Sequence, residues 1–162
     1  MKKSLLTALL VACSMYSQAQ AETLKFGTEA TFAPFEFTDN KSEVIGYDAD
    51  IIRAIGEVEG FEVQIVNQPF DALIPGVLTK QLDGAIAAIT ITEERAKQVA
   101  FSDPYYKAGI NAVIRREDGL KYLTLESLKD KRLCAQIGTT GANVAKHFSK
   151  NVGEYNTVPD AF

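Results

Sequence analysis

Thr90, Thr92 and Arg95 stand where an apolar run, Ala85 to Ile89, gives way to a helical pattern. The run is short and bounded by Gly84, as suits a strand covered on both faces. Thr92 followed by Glu93 and Glu94 predicts a helix beginning at Thr92, and Thr90 with Glu93 also fits a capping box. Arg95 then lies in the first turn. Helical side chains lean toward their own N-terminus, so its guanidinium can fold back over the strand end, beside amides with no helical partner. A planar fork of donors next to hydroxyls and free N–H groups suits the carboxylate of a small ligand. The same guanidinium could instead pair with Glu94 or another surface acid.

A second stretch repeats this chemistry. Leu133 to Ile137 reads as a buried strand ending in G-T-T-G, Gly138 to Gly141. The glycines let a ligand approach the backbone, and Thr139 and Thr140 offer hydroxyls and free amides at a helix start. On its own this motif is weak; its weight comes from repetition.

The elements that must position these groups alternate strand and helix, an α/β pattern. Leu24 to Gly27 is a first strand, whose following loop carries Glu29 and Phe32 at the strand's C-terminal end, where open α/β sheets place ligand groups. Phe35 and Phe37 flank Glu36 and read as core, leaving Phe32 as an exposed aromatic wall. Asp39-Asn40-Lys41 is a hairpin turn, and Asp48 caps a helix whose Ile51, Ile55 and Val58 form the core stripe, stopped by Gly60. Phe61 to Val66 is a second strand. Phe70 follows it, ahead of a helix burying Leu73, Ile74, Val77, Leu78 and Leu82; like Phe32 it sits at a strand-to-helix handover, where two aromatics could sandwich a ligand or serve as ordinary core. Asp48 and Asp50 are explained by the helix dipole rather than by acid catalysis. Pro104 and Gly109 bracket a connection, and Ile110 to Ile114 and a short helical piece at Leu125 to Lys129 come next.

Composition excludes several functions. The 162 residues carry a formal net charge of −4 with no basic block, which argues against nucleic acid or an anionic membrane surface as partner. Met1 to Ala21 reads as a secretory signal peptide: Lys2 and Lys3, an apolar run from Leu5 to Ala12, and the cleavage pattern Ala19-Gln20-Ala21. The run is well short of the roughly 20 residues a membrane span needs. Leu10 to Cys13 resembles a lipobox, but the A-x-A site favours a soluble exported product. After cleavage Cys134 is the only cysteine and His147 the only histidine, so no disulfide, metal constellation or Cys/His pair is expected. Cys134, in an apolar run, reads as a buried inert thiol. No cofactor is implied.

Six motifs in order then carry a family resemblance: F-A-P-F-E-F (Phe32 to Phe37), G-Y-D-A-D-I (Gly46 to Ile51), F-D-A-L-I-P (Phe70 to Pro75), A-I-T-I-T-E-E-R (Ala88 to Arg95), F-S-D-P-Y-Y (Phe101 to Tyr106) and G-T-T-G. The chain resembles the polar amino acid-binding proteins of bacterial periplasmic ABC importers, solute-binding family 3, of the glutamine-, histidine- and arginine-binding type. Ala49 departs from the larger aliphatic residue usual in that signature. The resemblance implies a type II, Venus-flytrap fold: an α/β protein with lobe one over residues 22–107 and part of lobe two over 108–162. By position, Arg95 would take the ligand α-carboxylate with Thr90 and Thr140, while the backbone at Ala87 and Ala88 receives the amino group. Phe32 and Phe70 would flank the side chain, Glu29 would touch its amino or side-chain end, and Gln136 and Thr139 would reach in from lobe two. Tyr105 to Gly109 matches a hinge strand.

The implied function is a non-enzymatic periplasmic protein, a monomeric carrier of one free polar amino acid, glutamine or a basic one, delivered to inner-membrane permease subunits. Thr90 leans toward glutamine, whereas Glu29 could neutralise a cation such as arginine. Exported cyclohexadienyl dehydratases resemble the same fold, but no nucleophile and base pair stands out here. A receptor's sensor module is a third reading. The chain stops at Val158 to Phe162, at what reads as the start of a lobe-two helix, and the resemblance implies a C-terminally truncated chain that binds weakly and aggregates through unfinished apolar faces.

Overall fold

The computed structural model describes residues 21–162; residues 1–20 of the expected leader, Cys13 among them, lie outside the described residues. In chain order the N-terminal part runs β1 (Thr23–Thr28), β2 (Thr31–Phe32), β3 (Glu36–Thr38), β4 (Val44–Ile45), α1 (Tyr47–Glu59), β5 (Glu62–Asn67), α2 (Leu73–Leu78), β6 (Gly84–Ala85) and α3 (Glu93–Ala96). The C-terminal part runs β7 (Leu133–Gln136), α4 (Thr140–Phe148) and β8 (Val152–Tyr155). Parallel neighbours need a crossover connection, usually helical, and β5-β1-β6 form one parallel sheet, with Leu24 opposite Val63 and Phe26 opposite both Ile65 and Gly84. Strands β7 and β8 repeat the arrangement, Gln136 opposite Tyr155. The short antiparallel set β2-β3-β4 stands beside the first sheet.

The first core is small and sits beneath the candidate site. Leu73, Leu82 and Ala87 are buried, with Val66, Phe70, Val77, Ala85 and Ile89 packed around them. Helix α1 approaches β5 through Gly56, where a side chain would meet Val63 Cγ2 at 2.7 Å and the Phe61 carbonyl oxygen at 2.8 Å. The buried face of α1 is therefore Asp48, Ala49, Ile52 and Gly56.

That face corrects the expected stripe. Ile55 is 44% and Val58 82% exposed, because the helix is rotated to bring Gly56 rather than the branched residues onto the sheet. Asp48 is not the cap: Gly46 takes that place without a side-chain bond, and Asp48 lies inside the first turn, wholly buried. Glu36, not its two phenylalanine neighbours, faces inward and is 1% exposed. Leu78, expected inside, is exposed because α2 has ended there and the chain turns, with Leu82 filling the core instead.

Two strands are shorter or missing. The expected strand from Ala85 to Ile89 ends at Ala85, since Ala88 adopts a left-handed φ of +45° that no ladder accommodates. Ile110 to Ile114 forms no strand; no neighbouring strand pairs its backbone groups among the described residues, and Ile110 and Val113 are exposed. Cys134 is exposed rather than buried. The Asp39 turn is as expected: its carboxylate accepts from the amides of Lys41 at 2.8 Å and Glu43 at 2.9 Å.

Candidate functional site

The edge of the first sheet delivers Arg95 as its local sequence requires. Thr92 caps α3, its hydroxyl accepting from the Arg95 amide at 3.2 Å. The guanidinium folds back: Nη1 donates to the Thr90 carbonyl at 2.8 Å and Nη2 to the Gly138 carbonyl at 2.9 Å. Its carbon lies 5.5 Å from the centre of the Phe70 ring, a cation–π contact. No ion pair joins Arg95 to Glu94 among the described residues. Burial lowers the Arg95 pKa from its ordinary value, partly opposed by the charge of Glu94. Donors that remain on the fork border a cavity of about 110 Å³ lined by Phe70, Asp71, Ile74, Ile89, Arg95 and Gly138.

Glu29 occupies the other side of the cleft. It is 4% exposed, and its carboxylate accepts from the Thr31 hydroxyl at 2.8 and 2.9 Å and from Gln136 Nε2 at 3.0 Å. Gln136 is itself buried and also donates to the Asn156 carbonyl at 3.0 Å. A wider cavity of about 280 Å³ opens here, lined by Glu29, Thr31, Asn67, Gln68, Pro69, Asn156 and Thr157. Residues 107 apart in the chain thus meet across the cleft, and Arg95 and Gly138, 43 apart, close it at a second point.

The remaining expected residues are dispersed around this frame. Thr139 caps α4, accepting from the Ala142 amide at 3.1 Å while donating to the Gln136 carbonyl at 2.8 Å. Thr140 opens the same helix, whose first-turn amides lack intrahelical acceptors. Ala87 is buried in the core, and Ala88 gives its amide to Asp48 Oδ2 at 2.6 Å. Phe32 lies apart from Phe70: it is 39% exposed, stacks on Phe35 at 5.7 Å and lines neither cavity.

Sequence reasoning missed Asp71, Asn67 and Asn156 in the cavity walls, and missed the buried acids Glu36 and Asp48. A signal for the acids was present. Asp48 is four residues before buried Ile52, one helical turn along the same face.

Gly138 fixes how closely the two sides approach. Its φ is +75°, and a Cβ there would stand 2.9 Å from the Asp71 Cβ. Gly138→Ala is expected to cost about 1–2 kcal/mol from the left-handed backbone alone and to push the α4 side off Asp71. Calorimetric melting and hydrogen exchange at residues 136–142 check this; unchanged stability and exchange would show that the contact gives way freely.

Comparison with known proteins adds the family. The model of the bacterial extracellular solute-binding proteins, family 3, matches residues 24–157. The ABC transporter arginine-binding protein 1 of Escherichia coli (strain K12) is 36% identical over 140 residues, covering 86% of this chain and 56% of its own length. The arginine-bound form of truncated ArgBP from T. maritima superposes with a TM-score of 0.82 at 42% identity, over 86% of this chain and 66% of that one. The ancestral amino acid-binding protein AncCDT-1, a precursor of cyclohexadienyl dehydratase, gives 0.81 at 33% identity, over 86% and 63%. The chain spans little more than half the length of the curated relative it matches. With its parallel α/β sheets, its cleft between two sheet units and a family match over most of its length, the chain belongs to the bacterial extracellular solute-binding proteins, family 3.

Proposed function

We propose that this chain supplies most of the binding cleft of a periplasmic solute-binding protein that captures a free polar amino acid and hands it to the permease subunits of an ABC importer. The observation that carries the reading is Arg95, held over Phe70 with its fork at the mouth of a cavity between two sheet units. In this reading the fork takes the α-carboxylate, aided by Thr90 and the first-turn amides at Thr139 and Thr140. Residues 22–107 form one lobe and 108–162 begin the other. A ligand replaces the direct bonds from Arg95 to Gly138 and from Gln136 to Glu29, so that both lobes grip it in place of each other.

A basic amino acid, arginine first, fits this cleft better than glutamine. Glu29 is a buried carboxylate with no cationic partner among the described residues, and Asp71 lines the neighbouring cavity. Arginine-binding relatives support the same choice. The likeness to a dehydratase precursor favours one second reading, turnover of a cyclohexadienyl acid. Isothermal titration of the twenty amino acids and prephenate into the full-length mature protein separates the two. Binding of one basic amino acid without conversion supports the carrier; consumption of prephenate with no amino acid bound would replace it by the enzyme.

A further inference from the structure

Behind the cleft, the first sheet unit holds three buried carboxylates, Glu29, Glu36 and Asp48. No lysine or arginine pairs with any of them among the described residues. No group of three or more His, Cys, Asp or Glu side chains there is arranged to hold a metal ion. Glu29 is satisfied by Thr31 and Gln136. Glu36, from β3, and Asp48, from α1, are not: Glu36 Oε2 and Asp48 Oδ1 are buried without a conventional partner, and the two side chains lie in hydrogen-bonding reach of each other.

Two carboxyl groups can bond to each other only if one carries a proton. Asp48 is the acceptor, since its Oδ2 already receives the Ala88 amide at 2.6 Å and the Tyr105 hydroxyl at 2.9 Å. Glu36 receives no side-chain or amide donor among the described residues and is left as the acid. Burial, then the charge of Asp48 and its hydrogen bond, push Glu36 up to about 9, with Glu29 adding to the effect. Burial and the neighbouring Asp48 also raise the Tyr105 hydroxyl. Among the described residues the titratable groups that act on Glu36 are Asp48 and Glu29, and those that act on Tyr105 are Asp48 and Glu36; none is a cation.

The bonds on Asp48 lead directly to the cleft. Ala88 holds a left-handed backbone that non-glycine residues rarely adopt, and its amide is fixed by Asp48. Two residues on, the Thr90 carbonyl orients Arg95. Tyr105, the other donor, comes from the connection between the two sheet units. We propose that Glu36 carries a proton at neutral pH, donates a hydrogen bond through it to Asp48, and with Asp48 forms a positioning pair that sets the 86–90 loop, and through it Arg95, for ligand. The functional part of this rests on the proposed amino acid site.

The test begins without ligand. In the folded chain, 13C NMR of glutamate side-chain carboxyls should show one group that stays protonated through neutral pH, titrates near 9 and vanishes in Glu36→Gln. Because the unfolded chain releases this proton above the ordinary value of 4.5, stability should fall as pH rises from there to about 9, and Glu36→Gln should remove that slope. Hydrogen exchange should show Ala88 protected at neutral pH, with protection lost in the wild type once Glu36 ionises and kept in Glu36→Gln. Every glutamate titrating in its ordinary range, or Ala88 protection indifferent to pH, would overturn the pair. L-Arginine titrated at neutral pH should bind Glu36→Gln within about threefold of wild type and Glu36→Ala roughly tenfold or more weaker, as one lost buried hydrogen bond implies. Equal affinity for all three would overturn the positioning role. A wild type that does not bind L-arginine would count against the proposed ligand, while the NMR titration still decides the acid pair.

Discussion

Arg95→Ala is expected to weaken L-arginine binding by about 2–5 kcal/mol, the cost of removing one partner from a buried charge pair, or roughly 30- to 4,000-fold in Kd. Two effects add. The ligand carboxylate loses its fork, and the Thr90 loop loses the guanidinium that joins it to Gly138. Arg95→Lys should fall nearly as far, because an ammonium cannot span two acceptors in the plane of a fork. Isothermal titration measures the loss, with a melting curve to establish that each variant is folded. A change below about threefold in both variants would place the carboxylate elsewhere and remove the central support of the carrier reading.

Leu73→Ala is the substitution expected to cost most stability. Leu73 is wholly buried at the start of α2, against Leu82 and Ala87. Truncating such a residue costs about 2–5 kcal/mol through lost transfer and residual cavity, a fall in Tm of roughly 5–20 °C for a chain of this size. The volume-conserving Leu73→Met should cost under about 1.5 kcal/mol. Phe70 packs against the same cluster while stacking on Arg95, so the cavity should also loosen the aromatic floor of the cleft. Denaturant unfolding with L-arginine titration on both variants tests this coupling. Full stability in Leu73→Ala would mean that the core collapses around the gap, and affinity unchanged despite a destabilised core would separate the floor from the packing beneath it.

These two residues differ in how they could be read. Arg95 was legible from its neighbours: a threonine cap and two acids fix the helix start, and first-turn geometry alone sends the side chain back over the strand. The caps at Thr92 and Thr139, the Asp39 turn and the β1 and β5 strands followed from equally local rules, because capping and alternation are set within a few residues. Family membership was legible for a related reason: six short motifs hold their order along the chain.

Tertiary structure decided which face of each element is covered. F-E-F alternates whichever way it faces, and only packing against α1 turned Glu36 inward. Helix α1 offered two apolar arcs. The close approach at Gly56 chose the one containing Asp48 and left Ile55 and Val58 in solvent. The strand after Gly84 ended early because Asp48, forty residues away, takes the Ala88 amide. Cys134 and Ile110 to Ile114 needed partners that periodicity assumes and the fold does not supply. Local sequence fixes dihedrals and caps through short-range sterics and hydrogen bonds, whereas the pairings from Arg95 to Gly138 and Gln136 to Glu29 exist only after distant segments are brought together and dried.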